Sequence, residues 1–180
     1  MFVVDFFVLS VGKDGREGLV PSGAERHLWE FATADELDIY SRREALEASG
    51  HTSFEEARGW EDQIRELLVR EEGEIRWRAW EVLIRRGWIT SRDESPLFEA
   101  LGLFEIDGQL RVGRANELEV WPAFLVGLLF RRDQERFAQA TADILLRSRS
   151  ESVSQILDSV RHHKDQCPDA VTEALYGRIL

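Results

Sequence analysis

The chain has 180 residues, with 34 acidic side chains against 23 basic ones, and a formal net charge of −11. Its 43% apolar content is enough to build a core, so long disordered regions are not expected. The single cysteine, Cys167, excludes an intramolecular disulfide, and apolar runs such as 123–130 are far shorter than the roughly 20 residues of a membrane helix.

The first 20 residues predict a β-hairpin. Val4, Phe6 and Val8 alternate with their neighbours as in a strand, Asp14 and Gly15 suit the turn, and residues 18–20 return as a second strand. A secretory signal is not expected here, since no basic residues precede the apolar run. We expect a cytoplasmic protein.

Helix signals dominate the centre of the chain. Thr33 with Glu36, and Thr52 with Glu55, fit the capping box, in which the threonine hydroxyl and the later carboxylate satisfy backbone N–H groups. Helices are therefore predicted to begin at both threonines. The first of them is predicted to end near Gly50, because glycine suits the left-handed residue past a helix end.

Two apolar stripes at helical spacing follow, with a break between them at Gly73 and an end at Gly87. Their members are Trp60, Ile64, Leu67 and Leu68 in the first stripe, and Trp77, Trp80, Leu83 and Ile84 in the second. The tryptophans are interpreted as core residues and not as ligand-stacking ones.

Past residue 88 the pattern changes. Pro96 after a serine predicts a helix start and Gly102 predicts its end. Residues 104–106 and 109–112 then form two short strands joined by Asp107 and Gly108, which is a strong signal for a tight hairpin.

The remainder predicts four helices. Residues 123–130 are apolar all round and indicate a buried helix, two amphipathic helices follow, and Pro168 begins the last one. The fold class is therefore mainly α with small β elements (α+β): an N-terminal β-hairpin, central helices plus a β-hairpin, and a C-terminal helical bundle. We expect one compact domain over 1–180, with a subdivision into an α+β part, 1–115, and a helical part, 116–180, as the alternative.

The charge pattern argues against nucleic-acid binding. Such proteins neutralise phosphates with a clustered basic face, whereas the bases here are interleaved with acids. Lys13 and Lys164 are the only lysines, so arginine dominates the basic set. Arginine favours bidentate pairing with carboxylates, inside a fold or across an interface.

No motif for nucleotide or hydrolase chemistry is present in the sequence. It lacks a phosphate loop, a dinucleotide-binding glycine pattern and a nucleophile elbow, and no cofactor is expected. The best metal-ligand candidates are His162, His163 and Cys167, since His163 and Cys167 lie four residues apart and would share a helix face. A structural or surface role is the alternative that we favour for them.

Carboxylates that could contact a partner are Glu71, Glu72, Glu74, Glu99 and Glu105. The alternative interpretation of the first three is a charged junction between helices. The segments 74–86, 96–101 and 104–112 also follow the order of a winged helix, but the second helix is apolar and acidic. A winged helix of this composition would contact protein and not DNA.

These observations favour a non-catalytic protein that binds another protein with a basic surface. One concrete form is an immunity or antitoxin-like protein that neutralises a basic toxin. The alternatives are an enzyme whose site combines scattered carboxylates and histidines, and a winged-helix regulatory protein.

Overall fold

The computed structural model describes residues 24–51, 60–161 and 167–179. Over these residues it contains nine α-helices, one 3₁₀ turn and one two-stranded antiparallel sheet, which confirms the expected mainly helical α+β class. The predicted N-terminal β-hairpin and the predicted helix start at Thr52 lie outside the described residues.

The chain divides into two compact units, Met1–Trp88 and Ile89–Leu180. This boundary differs from the predicted subdivision at residues 115 and 116, because the hairpin of residues 103–112 packs on a helix that follows it, 134–147. That the chain forms one domain stays a prediction.

Four helices form the described part of the first unit. They are α1 (Ala24–Thr33), α2 (Ile39–His51), α3 (Trp60–Arg70) and α4 (Gly73–Arg86). α2 packs against both α1 and α4, and α3 also packs against α4. Trp29, Leu46, Ile64 and Leu83 are fully buried in this core. The predicted break at Gly73 is confirmed, and Gly87 ends α4 in the left-handed conformation, with φ of 73°.

The predicted helix start at Thr33 is wrong. Thr33 is the last residue of α1, and its hydroxyl donates to the carbonyl of Trp29 at 2.9 Å. α2 instead begins after Asp38. The Asp38 carboxylate accepts two hydrogen bonds from Ser41, one from its backbone N–H at 3.0 Å and one from its side-chain hydroxyl at 2.7 Å. Aspartate is at least as good an N-cap as threonine, so the later start prevails.

The second unit holds the remaining elements. They are α5 (Ser91–Leu101), β1 (Leu103–Ile106), β2 (Gln109–Val112), a 3₁₀ turn (Ala115–Glu117), α6 (Val120–Arg132), α7 (Gln134–Arg147), α8 (Ser150–Arg161) and α9 (Asp169–Ile179). The four predicted C-terminal helices are thus present. α6 packs against α7 and α8, and α9 packs against α7. α6 is buried around most of its circumference, as its composition predicts.

α5 begins earlier than predicted. Pro96 lies inside the helix and does not start it, and the first helical residue is Ser91. The reason is a cap at Thr90, whose backbone N–H and hydroxyl donate to Asp93 Oδ2 at 2.8 Å and 2.7 Å. The helix still ends at Gly102 as predicted, with φ of 64°.

The predicted hairpin is confirmed. Leu103 is opposite Val112 and Ile106 is opposite Gln109, with Asp107 and Gly108 between the strands. Both turn residues have positive φ, 51° and 78°, which is the conformation that a two-residue turn needs to match the twist of the strands.

The outer edge of β2 is covered by α7. The backbone N–H of Val112 donates to Asp143 at 3.1 Å, and its carbonyl accepts from Arg147 Nη2 at 2.9 Å. Side chains of α7 thus replace the strand that would otherwise satisfy this edge. The hairpin is held in a fixed position relative to the helices of its own unit.

Candidate functional site

A cleft opens on the second unit where the exposed face of α5 meets the start of β1. Its volume is about 560 Å³, and it is open to solvent. Polar side chains of α5 and two apolar side chains line it: Ser91, Glu94, Ser95, Phe98, Glu99 and Leu103. The carboxylates of Glu94 and Glu99 therefore lie beside an apolar surface formed by Phe98 and Leu103. We call these six residues the α5 cleft.

Burial of one face of α5 sets the orientation of the other. Leu97 and Leu101 are fully buried, so Glu94, Phe98 and Glu99 lie on the remaining surface. The left-handed residue Gly102 then turns the chain directly into β1 and places Leu103 at the edge of the cleft.

Arg136 of α7 binds Glu94 through two parallel hydrogen bonds. Nη1 donates to Oε1 at 2.8 Å and Nη2 donates to Oε2 at 2.9 Å. The same guanidinium carbon lies 5.3 Å from the ring centre of Phe98 and 5.8 Å from that of Phe137. These contacts combine bidentate carboxylate pairing with cation–π attraction, the two interactions that suit arginine best.

The ion pair fixes the charge of both partners. Hydrogen bonding from Arg136 lowers the pKa of Glu94, and its positive charge adds to the effect against a smaller opposing effect of burial. Hydrogen bonding to Glu94 raises the pKa of Arg136, and the negative charges of Glu94, Asp133 and Glu105 also raise it. Glu94 is therefore an anion at neutral pH, and both of its carboxylate oxygens accept hydrogen bonds from Arg136.

Glu105 lies on β1, within electrostatic range of Arg136. The opposite face of the same strand presents apolar side chains to solvent, with Phe104 42% exposed and Ile106 49% exposed. Large side chains of this kind are common at protein interfaces, but these two lie on the face of β1 opposite to the cleft-lining Leu103.

The structure places Glu99 and Glu105 in the same region of the second unit. Glu71, Glu72 and Glu74 belong to the first unit, at the junction between α3 and α4. Glu71 Oε1 binds Arg42 Nη2 at 2.7 Å, and the Arg42 side chain is 9% exposed, so Glu71 has a structural role there. Glu74 lies 3.6 Å from Arg43, and Glu72 is the residue before α4.

The predicted metal-ligand set is only partly described. His162 and His163 lie outside the described residues, and Cys167 is half-buried. Burial raises the pKa of the Cys167 thiol, and a hydrogen bond with Thr172 offsets this only in part. A nucleophilic cysteine needs the opposite shift. Within 24–51, 60–161 and 167–179, no group of three His, Cys, Asp or Glu side chains is placed to hold a metal ion.

The winged-helix interpretation stays a prediction. Its first helix, α4, belongs to the first unit, whereas its second helix, α5, and its hairpin belong to the second. The arginines that its wing would offer to a phosphate are paired with carboxylates. Arg111 binds Asp143 at 2.8 Å, and Arg114 lies 3.5 Å from Glu117. Among the helices that the structure describes, none is long and apolar enough to cross a bilayer.

Sequence reasoning did not identify Glu94, Phe98 or Arg136 as members of a site. Arg136 pairs with a residue 42 positions away, which no local pattern reveals. The excess of arginine over lysine was the available signal, since it predicts bidentate carboxylate pairs. Comparisons with protein-family models, curated proteins and solved structures gave no match for this chain.

Proposed function

We propose that this chain is a non-catalytic protein-binding protein whose α5 cleft contacts a partner with a basic surface. The observation that carries the proposal is the cleft itself, in which the exposed carboxylate of Glu99 and the Arg136-bound carboxylate of Glu94 lie beside the partly exposed ring of Phe98. Concave surfaces with an apolar centre and charged rim are typical of interfaces. A cytoplasmic immunity or antitoxin-like role, in which the partner is a basic toxin such as a nuclease, fits this chemistry.

The overall charge supports the same proposal. A formal charge of −11 speeds the encounter with a cationic partner, and a nuclease that binds phosphates presents such a surface. The pairing of Arg111 and Arg114 with carboxylates makes this region a poor surface for nucleic acid.

The test has two steps. Proteins captured from source-cell extract on the immobilised chain, at low and at high salt, are identified by mass spectrometry. Each candidate is then purified and its affinity measured by calorimetry. We expect one stoichiometric complex that weakens with salt, since the attraction is between opposite charges. If the partner is a nuclease, its activity falls as the complex forms.

Matched variants locate the interface. The double variant Glu99→Gln/Glu105→Gln removes two charges beside the cleft, and Glu151→Gln/Glu173→Gln removes two exposed charges from α8 and α9. The first pair should weaken a reconstituted complex by about tenfold and the second by much less, because pairs at an interface act over short distances. Equal losses in the two double variants, or failure to reconstitute any captured complex, would count against the proposal.

A further inference from the structure

Arg136 shows how the α5 cleft surface binds a guanidinium. Its side chain makes a bidentate pair with Glu94 while it lies over Phe98 and Phe137, whose rings meet edge-to-face at 6.2 Å. The chain thus contains, within its own fold, a complete example of arginine recognition by a carboxylate next to an aromatic ring.

Glu99 is a second carboxylate next to Phe98, and no basic side chain of the described residues pairs with it. It follows Phe98 directly, lines the same cleft, and is exposed. In the part of the chain that the structure describes, no arginine, lysine or histidine forms an ion pair with it. Glu105 adds a second negative charge on the neighbouring strand. A cation from outside the chain therefore finds an acceptor carboxylate here beside apolar surface.

The geometry favours arginine over the other cations that a partner could offer. A guanidinium pairs with a carboxylate through two parallel bonds and is weakly hydrated, so it tolerates contact with a phenyl ring and a leucine. An ammonium group is more strongly hydrated and makes point contacts only. The long alkyl stem of arginine would also cover the apolar surface of Phe98 and Leu103.

We propose that the α5 cleft binds an arginine side chain of the partner protein, with the guanidinium on the Glu99 carboxylate and the stem against Phe98 and Leu103. The inference rests on the proposed protein-binding function and names the chemistry that the partner must present. A small anionic or phosphate-bearing ligand is disfavoured, because the one cation beside the cleft, Arg136, is already held by Glu94, and Glu99 adds a negative charge.

The experiment uses capped tetra-arginine and tetra-lysine peptides as probes, titrated into the full isotope-labelled chain and followed by amide resonances. At about 150 mM salt, where long-range attraction is largely screened, we expect the shifts to concentrate at Glu99 and Leu103. Tetra-arginine should bind about threefold more tightly than tetra-lysine, because only the guanidinium can pair with the Glu99 carboxylate through two parallel bonds.

Two variants with the same charge change make the result specific. Glu99→Gln should weaken tetra-arginine binding by about threefold, whereas Glu151→Gln, at an exposed position of α8, should leave it unchanged. Equal affinity for both peptides, shifts centred elsewhere, or equal effects of the two variants would overturn the arginine site. The protein-binding function is tested separately, by calorimetry of the reconstituted complex. The arginine site can therefore fail while the protein-binding function holds.

Discussion

Asp143 on α7 holds Arg111 on β2 through two hydrogen bonds of 2.8 Å, one to each carboxylate oxygen. The same carboxylate accepts the backbone N–H of Val112 at 3.1 Å and lies 3.2 Å from Arg147. Only 3% of the Asp143 side chain is exposed, whereas Arg111 and Arg147 are 36% and 47% exposed. A single buried acid thus joins the hairpin that borders the α5 cleft to the helix behind it.

Replacing this acid tests how firmly the hairpin is held. Asp143→Asn keeps the shape of the side chain but removes its charge and one acceptor position, so we expect a loss of about 1–3 kcal/mol in the unfolding free energy. The amide hydrogen of Val112 should exchange faster in Asp143→Asn than in the wild-type chain. The amide hydrogens of α8 serve as the reference and should change less. Asp158→Asn is the control, because Asp158 is 72% exposed and lies 3.6 Å from Arg161. Equal exchange at Val112 in both variants would contradict this role.

The same acid should make stability depend on pH. Burial alone would raise the pKa of Asp143, but hydrogen bonds from Arg111 and Val112 and the positive charges of Arg147 and Arg111 lower it overall. A lowered native pKa gives stability that is complete above the unfolded value, about 3.9, and is lost as the pH falls through the native pKa. Glu94, with its pKa lowered by Arg136, acts in the same direction.

Urea unfolding at a series of pH values between about 7 and 3 measures this effect. We expect the wild-type unfolding free energy to fall more steeply below about pH 4 than that of Asp143→Asn, in which one of the responsible groups no longer titrates. Parallel curves for the two proteins would show that Asp143 contributes nothing to the pH dependence.

The elements that the sequence predicted correctly are those with a local physical cause. Asp107 and Gly108 accept positive φ, Gly87 ends α4, and the apolar run of α6 requires burial on all sides. The errors arose where two local signals competed. Pro96 after a serine resembled a helix start, but the cap formed by Thr90 with Asp93 starts the helix at Ser91, five residues earlier.

The cleft was predictable only in part, because its charges are set by contacts between distant segments. Glu99 and Glu105 were singled out by composition, and both lie in the cleft region. The pairing of Glu94 with Arg136 depends on how α5 packs beside α6 and α7, and the pairing of Glu71 with Arg42 depends on α2. Sequence alone could not separate carboxylates that stabilise the fold from those that have no internal partner.

Close packing of α6 on α8 gives a further prediction. A Cβ at Gly127 would lie 2.6 Å from Ser159 Oγ and 3.3 Å from Ser159 Cβ, so Gly127→Ala requires the Ser159 side chain to move or α8 to shift slightly. We expect a loss of about 1–3 kcal/mol in urea unfolding. Gly177→Ala is the matched control: its Cβ would meet Leu146 at 3.4 Å, and alanine favours the helix by about 0.5–1 kcal/mol.

A double-mutant cycle identifies the cause of the Gly127 effect. Ser159→Ala removes the hydroxyl that Arg131 Nε binds at 3.1 Å, and it also removes the atom closest to the new methyl group. Gly127→Ala should therefore be less destabilising in the Ser159→Ala background, with a coupling of about 0.5–2 kcal/mol. Strict additivity would mean that the added methyl group clashes with something other than Ser159.

The first unit offers an independent test at Trp29, which is fully buried among other aromatic rings. It stacks on Trp60 at 5.8 Å and lies 5.8 Å from Trp88, and the Arg86 guanidinium carbon is 5.6 Å from both Trp29 and Trp88. No described residue accepts a hydrogen bond from its indole N–H. Trp29→Phe therefore removes part of the ring surface but no hydrogen bond.

We expect Trp29→Phe to reduce the unfolding free energy by about 1–2 kcal/mol and Trp29→Ala by about 3–5 kcal/mol. Tryptophan fluorescence follows this unit, because Trp121 is the only tryptophan after residue 88. The near-ultraviolet circular dichroism of the cluster should weaken in both variants, since each removes one of the two stacked indole rings. If Trp29→Phe were as destabilising as Trp29→Ala, the indole N–H would have to make an interaction that ring packing does not account for.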